Sequence, residues 1–172
     1  MKKELDRIPN IPQVQEEILK FWKDDKTFEK SLQKPDGKEI VFYDGPPFPT
    51  GKPHHGTVLV SFIKDMVSRY HTMQGYSVPR QWGWDCHGLP IEVQVEGALG
   101  ITNKTEIENK IGVATFNDKC RDLVSQNNDS WREYVEQMAR WVDYDNAYKT
   151  MNTDFMESVI WAFKEYLTSL KL

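Results

Sequence analysis

Ile40-Val41-Phe42-Tyr43-Asp44-Gly45-Pro46-Pro47-Phe48-Pro49-Thr50-Gly51-Lys52-Pro53-His54-His55-Gly56-Thr57 is the stretch on which the fold turns. Ile40 to Tyr43 is short, apolar and bounded by turn residues, which predicts a buried strand. Residues 44–53 hold four prolines and two glycines and read as a stiff loop. A long helix is expected from about His54 to Met73, with Leu59, Phe62, Ile63, Met66, Tyr70 and Met73 on one apolar face and Gly75 as its stop. Ser77 to Trp82 predicts a second strand and Gly83 to Gly88 a loop. Strand, loop, helix and strand over 39–83 make a right-handed crossover. Such a unit puts the first loop at the carboxyl edge of a parallel sheet.

On the amino side, residues 9–31 predict a helix, with Asn10 as N-cap, Pro12 in the first turn, and Val14, Ile18, Phe21 and Trp22 at helical spacing. Lys34-Pro35-Asp36-Gly37 has turn composition. On the carboxyl side, 89–99 predicts a short helix and 114–140 a longer one that breaks near Asn127-Asn128. Residues 153–170 predict an amphipathic helix with Phe155, Val159, Ala162, Phe163, Tyr166 and Leu170 on one face. The fold class expected is α/β, a short parallel sheet of two or three strands with helices, in a single domain. So few strands make an incomplete parallel sheet.

Composition narrows the function classes. The 172 residues carry 22 Lys and Arg against 26 Asp and Glu, a net charge of −4. A stand-alone nucleic-acid binder needs a basic footprint to neutralise phosphates, and the overall balance lacks one. Cys86 and Cys120 form neither a disulfide framework nor a CxxC metal pair, which predicts a reducing, cytoplasmic setting. No apolar run approaches the roughly 18 residues of a membrane span. Met1-Lys2-Lys3-Glu4 leads into polar sequence without the apolar core of a secretory signal.

The candidate chemistry sits where the loop meets the helix. A helix's first turn leaves backbone N–H groups unpaired and carries partial positive charge, so it favours an anion. His54 adds a donor for a phosphate oxygen, Gly56 removes a side chain where a nucleotide lies close, and Thr57 adds a hydroxyl. The Walker A pattern GxxxxGK[ST] occurs nowhere.

Residues 47–57 resemble the "HIGH" region of class I aminoacyl-tRNA synthetases, with His54-His55-Gly56-Thr57 in place of His-x-Gly-His. Thr57 replaces the second histidine, and a hydroxyl cannot become cationic. Gly83-Trp84-Asp85-Cys86-His87-Gly88-Leu89-Pro90-Ile91-Glu92 is similar to the second substrate-pocket motif of the isoleucyl-tRNA synthetase family. Arg140-Trp141-Val142-Asp143-Tyr144-Asp145-Asn146-Ala147-Tyr148-Lys149-Thr150-Met151 and Met156-Glu157-Ser158-Val159-Ile160-Trp161 resemble further stretches of it, in family order.

The resemblance implies a Rossmann-like half-domain that activates isoleucine with ATP and Mg2+ to isoleucyl-adenylate, then passes the acyl group to tRNA(Ile). Carried onto matching positions, His54 and Thr57 contact the ATP phosphates and Gly56 lies under the nucleoside. Pro46, Pro47 and Phe48 line the aminoacyl and adenylate site, and Asp85 pairs with the substrate ammonium. Catalysis there is positioning and charge stabilisation on the α-phosphate. The family's Lys-Met-Ser-Lys-Ser signature, editing insertion, second nucleotide-fold half and anticodon-binding region are not in this sequence. The chain therefore reads as an N-terminal fragment ending near the editing insertion: 1–38 a helical extension, 39–172 the first half of the catalytic domain. Most tRNA contact is expected outside it, the enzyme is expected to be monomeric, and no metal site is expected.

Blander roles stand beside these. His54 is also read as a surface histidine capping a helix, and Asp85 as the N-cap of the helix after it. Cys86 and His87 lack the second spaced pair that zinc needs. Trp82 and Trp84 fit a core at least as well as an adenine stack. A truncated paralogue that binds nucleotide or a partner without catalysis is the alternative function; a small nucleotidyltransferase is disfavoured by the 83–92 motif.

Overall fold

A computed structural model describes residues 10–33, 37–126 and 128–170. Residues 34–36 of the expected turn and Asn127 at the expected break lie outside them. Helix α1 (Ile11–Asp25) starts at Asn10 with Pro12 in its first turn. Lys26 then adopts a left-handed conformation, φ 52°, and α2 (Thr27–Leu32) follows, so the single helix expected over 9–31 is two. Helix α3 (His55–Met73) is followed by Gly75 at φ 90°, which relieves the turn of a Cβ clash. Strand β1 (Gln81–Trp84), helices α4 (Leu89–Leu99), α5 (Val113–Gln126) and α6 (Asn128–Gln137), strand β2 (Asp143–Lys149) and helix α7 (Thr153–Ser169) complete the order, with a π-helical turn at Ile107–Ile111.

The sheet is parallel, β1 beside β2, with Gly83 opposite Tyr148 and Trp84 opposite Lys149. Parallel neighbours need a long crossover, and α4 to α6 provide it. Between Gln81–Asp143 and Gly83–Tyr148 the register slips, because β2 bulges. Asp143 closes that bulge by accepting the Asn146 N–H at 3.1 Å, and Gln81 Nε2 donates to the Asn146 carbonyl at 2.8 Å.

Successive strand side chains point to opposite faces. Trp82 and Trp84 therefore share one face, buried with Ile91, Val124, Trp131 and Val135. The Trp84 and Trp131 rings meet edge to face at 5.4 Å. Gly83 points the other way, under the Tyr148 ring. A Cβ there would lie 2.6 Å from the Tyr148 hydroxyl oxygen and closer still to ring carbons.

Both strand expectations are corrected. Ile40–Tyr43 is not a buried strand: Glu39 makes a single parallel bridge to Ser77, and Tyr43 is 92% exposed. Beyond the Ile40 N–H bond to the Ser77 carbonyl at 2.9 Å and the Ser77 N–H bond to the Lys38 carbonyl at 3.0 Å, no neighbouring strand among the described residues continues the ladder. The second strand runs 81–84 instead of 77–82. Pro79 has no N–H to contribute, so pairing with β2 begins past it.

The apolar face of α3 is its exposed one: Phe62 is 65% and Met73 77% accessible. What α3 buries is Ser61, Ser68 and Thr72. Two buried or half-buried arginines explain the inversion, because each needs acceptors. Arg140 donates to Ser61 Oγ at 3.3 Å, and Arg80 to Thr72 Oγ1 and the Ser68 carbonyl. Asp65 accepts from the Trp141 N–H at 3.0 Å, and Arg69 lies 3.6 Å over the Trp141 ring. The apolar face of α7 is likewise largely open, with Val159, Phe163, Tyr166 and Leu170 exposed.

Candidate active site

The loop between residues 44 and 54 has no ladder of its own, so its position depends on pins. At its start the Asp44 carboxylate pairs with both Lys64 of α3 and Arg140, and Lys64 Nζ also donates to the Gly45 carbonyl at 3.2 Å. In the middle, the Asp85 N–H donates to the Pro47 carbonyl at 2.9 Å. Towards its end, Trp131 Nε1 donates to the Gly51 carbonyl at 2.8 Å. Four prolines stiffen what lies between.

His54 ends the loop in an extended conformation and caps α3. Its Nδ1 accepts from the Gly56 N–H at 3.1 Å and the Thr57 N–H at 3.4 Å, while its own N–H donates to Thr57 Oγ1 at 3.4 Å. This is a reciprocal capping box with histidine as the cap. An Nδ1 that accepts places the imidazole proton on Nε2, which remains the ring's donor. Two first-turn N–H groups that the sequence predicts to be unpaired are thus taken by His54. Gly56 has a local reason as well: a Cβ there would come within 3.0 Å of His54 Cε1. The folded-over ring needs that space.

A cavity of about 360 Å3 opens at this end of α3, lined by Pro47, His54, Gly56 and Thr57 together with Lys64 and Arg140. Pro46, Phe48 and Asp85 do not line it. A larger groove of about 940 Å3 runs between α1 and residues 132–145 and carries none of the residues nominated from sequence.

Asp85 follows the end of β1, half-buried, and its carboxylate makes no hydrogen bond or ion pair among the described residues. It does not cap the next helix, because the N-cap of α4 is Gly88. Burial, then the Asp44 and Asp85 carboxylates, hold the Tyr148 hydroxyl above its ordinary pKa, which places that ring near both acids. Trp82 and Trp84 are core residues. Cys86 is buried, and burial pushes its thiol pKa up; its N–H donates to Thr150 Oγ1 at 2.8 Å, which also contacts His87 Nδ1 at 3.3 Å.

The structure thus brings Pro47 to Asp85 and gathers His54, Gly56 and Thr57 at one helix end. It adds Lys64, Arg140, Trp131 and Tyr148, which sequence reasoning assigned no place in the site. Arg140 lies 96 positions from Asp44, and no local pattern marks the pair.

Residues 17–169 match the model of the class I tRNA synthetases for isoleucine, leucine, methionine and valine, and the chain belongs to that family. Within it, the chain is 54% identical over 155 residues to isoleucine–tRNA ligase 2 of Pseudomonas fluorescens, covering 90% of this chain and 15% of that protein. It is 53% identical over 158 residues to the isoleucine–tRNA ligase of Mycobacterium tuberculosis, with 91% and 15% covered. The fold matches a leucyl synthetase of Agrobacterium radiobacter K84, solved in a ternary complex with tRNA and LeuAMS, at a TM-score of 0.62 and 18% identity; 87% of this chain and 18% of that one are covered. The chain spans about 15% of the length of the isoleucine–tRNA ligases it matches.

Proposed function

We propose that this chain carries the half of an isoleucine-activating site that faces the amino acid and the ATP phosphates, in an enzyme that forms isoleucyl-adenylate and loads tRNA(Ile). The observation that carries the reading is the Asp85 N–H bond to the Pro47 carbonyl. It joins the two motifs an adenylate must span, on a chain more than half identical to isoleucine–tRNA ligases.

In this reading the unpaired Asp85 carboxylate receives the substrate ammonium, an opposite charge that offsets the cost of partly burying either group. Pro46, Pro47 and Phe48 flank the aminoacyl end. His54 donates to phosphate from Nε2, the nitrogen its capping role leaves free, and Gly56 and Thr57 lie beside it. Mg2+ is held here by the nucleotide's phosphates, the usual arrangement for this hard cation. The open apolar faces of α3 and α7 are covered by further parts of such a synthetase.

A non-catalytic, nucleotide-binding role is the second reading. It is favoured by Thr57, whose hydroxyl serves the cap of α3 in place of a cationic side chain. Chemical-shift mapping with a non-hydrolysable isoleucyl-adenylate analogue tests the first. Amides of Gly45, Phe48, Gly56, Thr57 and Asp85 are expected to move. Shifts confined to α1 and residues 132–145 would contradict it.

A further inference from the structure

Asp44 is the only acidic residue in the stretch 44–57. Its carboxylate is held from two sides, by Lys64 on α3 and by Arg140 just ahead of β2. The Arg140 side chain is 9% exposed, lies 4.9 Å over the Trp82 ring and reaches Ser61 Oγ at 3.3 Å. Lys64 reaches back to the Gly45 carbonyl. An exposed ion pair holds little, but a carboxylate shared by two cations, one of them mostly buried, is fixed in place. The prolines make residues 46–53 stiff without choosing where that stiff piece sits, and Gly45, directly ahead of it, has no side chain to restrict its backbone.

We propose that Asp44 is a positioning residue for amino-acid activation: through Lys64 and Arg140 it sets the loop's seat, so that the Pro47 carbonyl meets the Asp85 amide. This role rests on the site reading above. It concerns neither substrate contact nor overall folding. The pin acts on one end of the loop, and Trp131 at Gly51 acts on the other. Losing Asp44 therefore frees the Gly45–Pro47 end selectively.

Amide hydrogen exchange on the purified chain reads that seat without any ligand. In Asp44→Asn, the Asp85 amide is expected to exchange at least about tenfold faster, a loss of about 1.4 kcal/mol of local protection. The Asp143 and Thr150 amides, bonded to the Arg80 and Trp84 carbonyls, are expected to keep their rates. Asp44→Glu is expected to restore part of the Asp85 protection. Lys64→Gln removes the α3 side of the pin together with the bond to the Gly45 carbonyl and serves if Asp44→Asn unfolds the chain; an equally local acceleration is expected. Unchanged Asp85 exchange in these variants, or equal acceleration at Asp85, Asp143 and Thr150, overturns the proposal. Titration of the same proteins with the isoleucyl-adenylate analogue separates the two claims. Wild-type binding weakened in Asp44→Asn supports both. Absence of wild-type binding alongside the local exchange effect would sink the site reading and leave the pin standing.

Discussion

Gly83→Ala is the perturbation whose outcome the structure fixes most tightly. Gly83 lies in β1 without a positive φ, so alanine meets no backbone strain there. The added methyl instead meets the Tyr148 ring, with the hydroxyl oxygen 2.6 Å away and ring carbons nearer. Tyr148 cannot yield freely, because it stacks on Phe155 at 5.6 Å with the rings 2° from parallel. Overpacking of this kind costs about 1–3 kcal/mol. Giving up the stack to relieve it costs about 0.5–1.5 kcal/mol. A net loss of about 2 kcal/mol corresponds to a Tm lower by about 4–8 °C for a chain of this size. The assay is a double-mutant cycle by urea denaturation, with Gly83→Ala made in wild-type and in Tyr148→Ala backgrounds. The second background removes the obstacle, so the methyl should there cost less than about 0.5 kcal/mol. Equal destabilisation in both backgrounds would refute the packing argument.

Asp85→Asn should abolish binding of an isoleucyl-adenylate analogue while changing stability by less than about 0.5 kcal/mol, since the carboxylate has no partner to lose; calorimetry and a melting curve check the two halves. Trp131→Phe removes the bond to the Gly51 carbonyl and should cost about 1 kcal/mol, with loop amides near residue 51 exchanging faster. Glu106 accepts from Lys110 Nζ and Thr102 Oγ1, and these bonds hold its pKa at about 2. Because the folded value lies below the unfolded one, its stabilising effect is complete above about pH 4.5 and is lost as the pH falls towards 2. A carboxyl titration followed by NMR should give a midpoint near 2 for Glu106, moving upwards in Lys110→Met.

The elements with a simple local code were legible in the sequence. Helix α4 runs over 89–99 as predicted, because Pro90 sits in its first turn and Gly100, at φ 66°, ends it. The α3 boundaries were equally clear, from His54 to Gly75. Its orientation was not: periodicity finds an apolar stripe but cannot know that Arg80 and Arg140 compete for the polar one. Strand β2 escaped notice because its bulge destroys the period-two pattern on which strand recognition depends. His54, Gly56 and Thr57 could be nominated together because they lie within four positions of one another, and the structure lines one cavity with them. Asp44, Lys64 and Arg140 could not, because their relation exists only after folding. The cap that His54 forms was foreseen as the bland alternative, and it coexists with a donor left on Nε2.

Calorimetric titration of the folded chain with a non-hydrolysable isoleucyl-adenylate analogue, with valyl and leucyl analogues as controls, tests the central claim most directly. Binding selective for the isoleucyl compound is predicted, with the selectivity lost in Asp85→Asn. Equal binding of all three analogues, or none by a chain whose melting transition shows it folded, would contradict the claim that these residues form the isoleucine-facing half of the site.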